Sequence, residues 1–465
     1  MGGRNKFQDI THNLRKFIRF TYLKELVLNP SKLPFTAFVI IVAELILNIL
    51  IVEKVPYTEI DWKAYMQECE GFLNGTLDYS KLRGDTGPLV YPAGIYLLQL
   101  YFVLRIYIKT NKVPPYVLLI TILTSYRIHS IHVLRLFNDP IAVLFLYISL
   151  NYFLESKWSL GSIFYSLGVS IKMNILLYAP ALFFFYLINL GLKETVKQIF
   201  LCGIIQIFLG LPFLLVAPVS YLRGSFDLGR VFNHTWTVNY RFLDVKIFEN
   251  PYFHLTLFSI HILLLIIFLP MCVKYFKSYC RLEYVQKQVQ PQIDAKNIET
   301  KKRFRGKKDN KIKLQENNEE KLTKDQEQFL NSFQTILQKA SNKNGKKKKV
   351  LNEQDDDVHY SINFDVISQL FILPMFLINF IGIVCARSLH YQFYSWYFHS
   401  LPYLLWSTNI SVVVRFLILA LIEFCWNTYP STNFTSVMLH ICHVTILYNI
   451  YKKTSAELNM VSKMN

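Results

Sequence analysis

The residues best suited to chemistry lie in a segment rich in acids, aromatics and glycines, residues 57–94, directly after the first long apolar run. The sequence TEID is typical of a helix start, which places Asp61 in the first turn of a short helix. Asp61, Tyr65 and Glu68 then share one face, with Trp62 beside them. A carboxylate placed there can accept a proton from an attacking hydroxyl, so we predict that Asp61 is a general base. The alternative is that Asp61 only caps the helix.

The same segment ends in RGDTGPLVYP, where glycines and prolines surround charged side chains just before the next apolar run. Glycine and proline at this density indicate a rigid loop. The loop would hold Arg83 and Asp85 at the membrane surface, and we predict that both, together with Tyr91, bind substrate. The alternative is an ordinary turn with a surface ion pair between Arg83 and Asp85.

A second polar stretch, GRVFNHTWTVNYRFL at residues 229–243, mixes rings with hydrogen-bonding groups. This combination suits the faces and hydroxyls of a carbohydrate. We therefore predict that Trp236, Asn239 and Arg241 bind substrate. An aromatic belt at the membrane interface has a similar composition and is the alternative.

Charged and polar residues near the predicted ends of apolar runs form a third group. A charge at mid-bilayer costs roughly 2.5 to 3.5 kcal/mol, so such residues face a cavity or the interface. A lipid-linked phosphate would need cations at that depth, and arginine offers forked donors for its oxygens. We predict that four residues bind such a phosphate: Lys172, Arg387, His390 and Tyr391. Three other arginines are interpreted as side chains that snorkel from helix ends: Arg105, Arg135 and Arg415.

The elements that must position these residues are membrane spans. The chain is 52% hydrophobic, and its apolar residues form runs of roughly the 20 residues that cross a bilayer as a helix. The first run is Pro34–Val52, with Glu44 as its single acid. Further runs cover residues 89–108, 115–134, 139–154, 158–171, 175–192, 196–216, 253–275, 364–386, 391–407, 410–426 and 434–451. We predict an all-α polytopic membrane protein with about twelve transmembrane helices.

The distribution of charge predicts the orientation. The N-terminal arm is basic and is placed in the cytosol, whereas residues 53–88 carry seven acids against four Lys or Arg and face the other side. The predicted regions are a cytosolic arm at 1–33, a membrane domain at 34–275 with lumenal loops 53–88 and 219–252, a basic, disordered cytosolic insert at 276–360, C-terminal membrane helices at 361–452 and a cytosolic tail at 453–465.

Composition also argues against several other classes of protein. The seven cysteines are scattered, without a CxxC pair, which argues against a disulfide scaffold and a metal site. The formal net charge is +18, and we interpret the lysine runs of the insert as a solvated cytosolic loop or as weak contacts with anionic lipid, not as a nucleic-acid site. No cleavable signal peptide is apparent, so the first span is predicted to serve as the targeting signal.

The chain resembles the endoplasmic-reticulum dolichyl-phosphate-mannose-dependent α-1,3-mannosyltransferases in four stretches. These are YTEIDWKAYMQECEGFLNGTLDYSKLRGDTGPLVYPAG (57–94), SIKMNILLYAPAL (170–182), RVFNHTWTVNYRFL (230–243) and ARSLHYQFYSWYFHSLPYLLW (386–406). The resemblance spans nearly all of the membrane portion and leaves out the basic insert. Two departures are that His234 stands where we expect a lysine-like residue and that only Lys463 fits a dilysine retrieval signal.

This resemblance implies a glycosyltransferase of the GT-C type, a multi-pass protein of the endoplasmic-reticulum membrane with a lumenal active site and an inverting mechanism. It implies dolichyl-phosphate-mannose as donor and Man5GlcNAc2-PP-dolichol as acceptor, with no cofactor and no metal. Asp61 matches the family's first-loop acid, which is expected to act as the base. Arg387, His390 and Tyr391 would stabilise the leaving phosphate.

Three alternatives remain open at this point. The first is another GT-C enzyme that uses a dolichyl-phosphate sugar. A transporter or lipid scramblase would instead show inverted repeats and charges near the midplane, whereas the charges here gather at lumenal ends. A membrane scaffold that recruits partners through its basic insert would be insensitive to the change Asp61→Asn.

Overall fold

A computed structural model describes residues 20–55, 70, 74–75, 94–135, 137–226, 232–306 and 365–462. Every regular element in this part of the chain is helical. The α-helices are α1 (Phe20–Leu28), α2 (Leu33–Lys54), α3 (Gly94–Thr110), α4 (Pro115–Thr124), α5 (Tyr126–His129), α6 (Asp139–Phe153), α7 (Trp158–Ile171), α8 (Ala179–Val216), α9 (Pro218–Ser225), α10 (Val245–Phe248), α11 (Pro251–Gly306), α12 (Asp365–Val384), α13 (Leu401–Trp406), α14 (Val412–Asn427) and α15 (Asn433–Ser462). Short stretches of 3-10 helix include Met173–Tyr178, His234–Trp236 and Tyr391–Trp396, and a π-helical turn, Ser130–Leu134, continues α5.

Several of these helices are long and apolar enough to cross a membrane. Five pass this test by length and composition, in the ranges Pro30–Lys54, Met173–Val216, Pro251–Ala295, Asp365–Val384 and Asn433–Glu457. The bent pair α4 and α5 makes a sixth if it is one span, and α6 and α7 are shorter apolar helices. The predicted all-α polytopic membrane protein is therefore confirmed, while the number of about twelve helices stays a prediction.

Local sequence explains the largest breaks in these helices. Ser125 separates α4 from α5, its hydroxyl accepts a hydrogen bond from the amide of Ile128, and the chain bends there by 56°. Gly191 interrupts α8 with φ 75° and ψ 171°, a conformation that glycine adopts without a steric penalty. At about 1.5 Å per residue, the helix around Gly191 is roughly twice as long as a bilayer core is thick, so a break is needed there.

The chain divides into two compact units, residues 1–283 with 364–465, and residues 284–363. The predicted boundaries of the arm, insert and tail are not tested by this division. In the second unit the structure describes only the last part of α11, up to Gly306.

Two groups of ion pairs lie at the opposite ends of α6. Helix α6 begins at Asp139, which pairs with Lys172, and Glu155, which follows the end of α6, pairs with Arg105 and Lys109. We call the end where α6 begins the site end. From Asp139 to Phe153 the helix rises roughly 21 Å at 1.5 Å per residue, so the two acids lie far apart.

Aromatic side chains fill the packed interior of the first unit. Phe185 on α8 lies 4.4 Å from Phe371 on α12 and 5.2 Å from Phe276 on α11, measured between ring centroids. Close approach of helices depends on small residues, because a Cβ added at Gly161 would lie 2.2 Å from the ring of Phe153. Membrane helices pack through such contacts because lipid is as apolar as the side chains themselves.

A network of polar side chains is buried within the bundle. Glu44, which is fully buried, lies 3.0 Å from Nε2 of His129, while Nδ1 of His129 donates to the Ser125 carbonyl at 2.6 Å. The Ser125 hydroxyl in turn donates to Glu423, as do the hydroxyl of Tyr394 and the amide of Asn427. We call these six residues the buried network.

The buried network shows how a span can carry an acid. Because Nδ1 of His129 faces a carbonyl, it must hold a hydrogen. The proton between Nε2 and Glu44 then gives either an imidazolium with a carboxylate or an imidazole with a carboxylic acid. The pair has no net charge in either state, which lowers the cost of burying it in a membrane.

Candidate active site

The loop at residues 232–250 is fastened to the site end of the bundle by backbone and side-chain hydrogen bonds. The amide of Val238 donates to the carbonyl of Leu389 at 2.8 Å. The side chain of Asn239 accepts from the amide of Leu389 at 2.9 Å and donates to the carbonyl of Ala386 at 2.8 Å. Asn239 is 1% exposed, so these bonds position the segment that carries Arg387. A direct contact between Asn239 and substrate stays a prediction.

Four rings run along the site end in one series, which we call the 393 stack. Trp396 and Phe393 are stacked with centroids 3.9 Å apart, and Phe393 is stacked on His390 at 5.4 Å. His390 then meets Phe232 edge-on at 5.2 Å. The short helix Tyr391–Trp396 and the fastened loop therefore build one continuous aromatic surface.

Three of the four predicted phosphate-binding residues lie along the 393 stack. Nζ of Lys172 is 5.4 Å from the centroid of Phe393, and Cζ of Arg387 is 4.8 Å from that of Phe232. His390 is itself a member of the stack. Cations over ring faces are attracted by the negative face of the π-system.

Lys172 is already paired within the protein. Its Nζ lies 2.6 Å from Oδ2 of Asp139 and 3.1 Å from Oδ1 of Asn138. The indole N–H of Trp396 also donates to Asp139, which is fully buried. An ammonium group has three N–H donors, so one remains for an anion after these two bonds. The pair with Asp139 fixes Lys172 beside the 393 stack.

Tyr391, the fourth predicted phosphate-binding residue, faces away from the other three. Its hydroxyl donates to the carbonyl of Thr428 at 2.7 Å. Its ring lies under the guanidinium of Arg127, with Cζ 4.8 Å from the centroid. Its role as a phosphate ligand stays a prediction.

An exposed pair of rings continues from Tyr391. Tyr429 meets Tyr391 edge-on at 5.5 Å and is stacked on Trp236 at 5.4 Å. Trp236 is 43% exposed and Tyr429 is 56% exposed, so both offer ring surface to solvent. We call these two residues the 429 platform. A platform of this kind fits the predicted contact between Trp236 and a carbohydrate.

Arg241 and His234 bond mainly to the loop itself. Nη1 of Arg241 donates to the carbonyl of His234 at 3.1 Å, and its backbone amide donates to the hydroxyl of Ser436 at 3.2 Å. Nε2 of His234 lies 3.2 Å from the carbonyl of Tyr240 and therefore donates to it. At the position where a lysine-like residue was expected, His234 thus supports the shape of the loop. Substrate binding by Arg241 stays a prediction.

The remaining predicted site residues, Asp61, Arg83, Asp85 and Tyr91, lie outside the described residues. Three residues of the described site were not assigned a role from the sequence: Arg127, Asp139 and Tyr429. Arg127 and Asp139 gave a usable signal, since both are charged residues within or beside apolar runs. Tyr429 gave none, because a tyrosine near the end of a span is common at membrane interfaces.

The described residues contain no group of three or more His, Cys, Asp or Glu that could hold a metal ion. His440 and His443 are separated by one helical turn on α15, a spacing at which two histidines can share a metal ion. Here His440 bonds to the carbonyl of Asn239, and His443 bonds to the hydroxyl of Tyr397. These contacts fit packing of the two histidines within the protein.

Comparison with known proteins decides the family. A family model described as ALG3 protein matches residues 38–95 and 93–436. The chain belongs to the ALG3 protein family. One ALG3 relative, from Drosophila melanogaster, is named Dolichyl-P-Man:Man5GlcNAc2-PP-dolichol alpha-1,3-mannosyltransferase and is 54% identical over 464 residues, which cover 94% of this chain and 95% of the relative.

More distant ALG3 relatives carry the equivalent name. The Mus musculus protein is 39% identical and the alignment covers 88% of this chain and 85% of the relative. The Arabidopsis thaliana protein is 38% identical, with 95% and 93% covered. No solved structure matches the chain.

Proposed function

We propose that this ALG3 family member transfers mannose from dolichyl-phosphate-mannose to Man5GlcNAc2-PP-dolichol in α-1,3 linkage. The observation that carries the proposal is the 54% identity to the Drosophila melanogaster enzyme of that name over nearly the full length of both chains. The printed names of the mouse and plant relatives specify the same donor and acceptor.

The geometry of the site end supports a reaction between lipid-linked sugars. A phosphate released from the donor needs positive charge, and Lys172, Arg387 and His390 lie along one aromatic surface. The acceptor needs ring faces for its sugars, which the 429 platform offers. Both surfaces start from the adjacent residues His390 and Tyr391, so the two substrates can meet there.

The reaction we propose is a single displacement with inversion at the anomeric carbon of mannose. The acceptor hydroxyl forms a bond to that carbon as the bond from carbon to the donor phosphate oxygen breaks. Asp61 accepts the hydroxyl proton, and the phosphate leaves with the bonding electron pair. Lys172 and Arg387 lower the energy of the transition state by stabilising the charge that develops on the phosphate.

We further propose a GT-C type bundle of about twelve spans in the endoplasmic-reticulum membrane, with the site end in the lumen. The Gly191 break supports counting the range Met173–Val216 as two spans. The short apolar helices α6 and α7 and the segment around α13 would supply further spans beside the five long ones. The acidic segment at residues 53–88 supports the lumenal assignment.

The test is reconstitution of the purified full chain with dolichyl-phosphate-mannose and Man5GlcNAc2-PP-dolichol in detergent or vesicles. We expect one added mannose that an α-1,3-specific mannosidase removes. Dolichyl-phosphate-glucose is the matched control donor and should give no product. Transfer of glucose, a different linkage, or no transfer at all would overturn the proposal.

A further inference from the structure

Arg127 is a buried arginine whose guanidinium is only partly used by the protein. Its Nε donates to the carbonyl of Trp426 at 2.9 Å, and its plane lies over the ring of Tyr391. The residue is 9% exposed, no hydrogen bond to a described residue uses its two Nη groups, and neither group is among the buried atoms that lack a partner, so both keep a small accessible surface. The guanidinium is held at its Nε edge and has no described hydrogen-bond partner at its Nη edge.

Within the described part of the chain, no carboxylate forms an ion pair with Arg127. Glu423 is near enough to influence its charge, but the carboxylate of Glu423 accepts hydrogen bonds from Ser125, Tyr394 and Asn427. Arg135 adds a second positive charge nearby. The described carboxylates of the site end therefore leave this positive region without an ion pair, unlike Lys172, which pairs with Asp139.

We propose that Arg127 binds the diphosphate of the lipid-linked acceptor, an assignment that rests on the proposed function. A guanidinium matches the oxygens of a diphosphate with parallel N–H donors, and stacking on Tyr391 fixes its orientation. The diphosphate carries more negative charge than the single phosphate of the donor, so it gains more from an arginine without a carboxylate partner.

The position of Arg127 favours the acceptor over the donor. Arg127 lies against Tyr391, and Tyr391 leads through Tyr429 to the exposed ring of Trp236. The acceptor combines a diphosphate with a long oligosaccharide, so it needs an anion site followed by an open aromatic surface. The donor has one phosphate and one sugar, and the cations of the 393 stack already suit it.

The test compares Arg127→Gln and Arg127→Lys with a matched control, Arg415→Gln. Arg415 has the same kind of contacts, since its Nη2 donates to the carbonyl of Thr408 at 2.9 Å and its guanidinium lies 5.0 Å from the centroid of Trp406. Arg415 lies in the first turn of α14, and Trp426, whose carbonyl accepts from Arg127, lies near its end. The two positions are separated by roughly 16 Å along α14. The measurements are the KM of each substrate and stabilisation of the protein against heat by inorganic pyrophosphate and by phosphate.

We expect Arg127→Gln to raise the acceptor KM by about tenfold or more, because charge-assisted hydrogen bonds are lost, and to change the donor KM by less than about twofold. Pyrophosphate should stabilise the unmodified protein more than phosphate does, and Arg127→Gln should lose that difference. Arg127→Lys should restore part of the affinity, and Arg415→Gln should match the unmodified protein.

A rise in the donor KM, or equal KM values in Arg127→Gln and the unmodified protein, would overturn the assignment. If the unmodified protein shows no transfer to this acceptor, the proposed function fails. The pyrophosphate comparison still tests Arg127 in that case, because it does not depend on catalysis. Equal stabilisation of Arg127→Gln and the unmodified protein by pyrophosphate would then show that Arg127 binds no diphosphate.

Discussion

The buried network and the site end both place charged residues in a membrane protein, but they satisfy those charges differently. In the buried network, Glu44 is paired with His129, and Glu423 accepts three hydrogen bonds from protein groups. At the site end, no described carboxylate forms an ion pair with Arg127, and Lys172 has a donor left after bonding to Asp139 and Asn138.

Whether a charged side chain has all its partners within the protein distinguishes residues that stabilise a membrane protein from residues that can bind a ligand. A buried charge with a complete set of protein partners holds helices together and has no capacity left for a ligand. A charge that the protein positions but does not saturate can bind an anion when one arrives. The three predictions below test this distinction, and they run from the largest expected effect to the smallest.

The largest effect is expected for Asp61→Asn. Asparagine caps a helix as well as aspartate does, so this change keeps a structural role and removes only the base. We expect the rate of mannosyl transfer at saturating substrates to fall by about 10² to 10⁴ with little change in thermal stability. Single-turnover kinetics with both substrates measures this.

Asp244→Asn is the matched control for Asp61. Asp244 caps α10 by accepting from the amide of Lys246 at 2.8 Å, and asparagine can make the same bond. The transfer rate of the Asp244→Asn protein should equal that of the unmodified protein. A normal rate in Asp61→Asn would show that the acid only caps its helix.

The next effect is on stability and comes from the buried network. Glu44→Leu leaves Nε2 of His129 buried without a partner, which we expect to cost about 3 kcal/mol and to lower the unfolding temperature in detergent. The double change Glu44→Leu with His129→Leu should recover much of this loss, because the Ser125 carbonyl still accepts from the backbone amide of residue 129.

Both variants of the buried network should keep the KM of each substrate within about twofold of the unmodified value. If the double variant is as unstable as the single one, the pair does not act as a unit. If either KM changes markedly, the buried network is part of the site, and the distinction between the two regions does not hold.

The smallest expected effect on substrate binding concerns Lys172→Gln, which should also lower the unfolding temperature because the fully buried Asp139 loses its cationic partner. Loss of its remaining donor and its charge should raise the donor KM by about tenfold and leave the acceptor KM unchanged, the reverse of Arg127→Gln. Lys197, an exposed lysine that pairs with Glu194 at 2.6 Å, provides the control variant Lys197→Gln with no effect. A rise in the acceptor KM of Lys172→Gln would contradict the separation of the two substrates.

The sequence predicted the class of fold, and it grouped three residues that the structure places together; both have physical reasons. Long apolar runs imply spanning helices whatever their tertiary contacts, so the helical membrane fold could be predicted. Lys172, Arg387 and His390 were predicted as one group because each lies near the end of an apolar run, and the structure places them along one aromatic surface. Charge near a span end is a local property of the sequence.

What could not be predicted depends on contacts between distant segments. The partner of Lys172 is Asp139, which is far away in the sequence, and the fastening role of Asn239 appears only when the loop meets the carbonyl of Ala386. The orientation of Tyr391 away from His390 is another case, since a turn of 3-10 helix sends neighbouring side chains in different directions.

The central claim is that the site end faces the lumen, and accessibility of a single cysteine tests it most directly. Trp236→Cys and the control Lys197→Cys replace side chains that are 43% and 60% exposed. In sealed microsomes, a membrane-impermeant maleimide should label Lys197→Cys at once and Trp236→Cys only after the membrane is permeabilised, both measured above the labelling of the unmodified chain. Labelling of Trp236→Cys in intact microsomes would contradict the account.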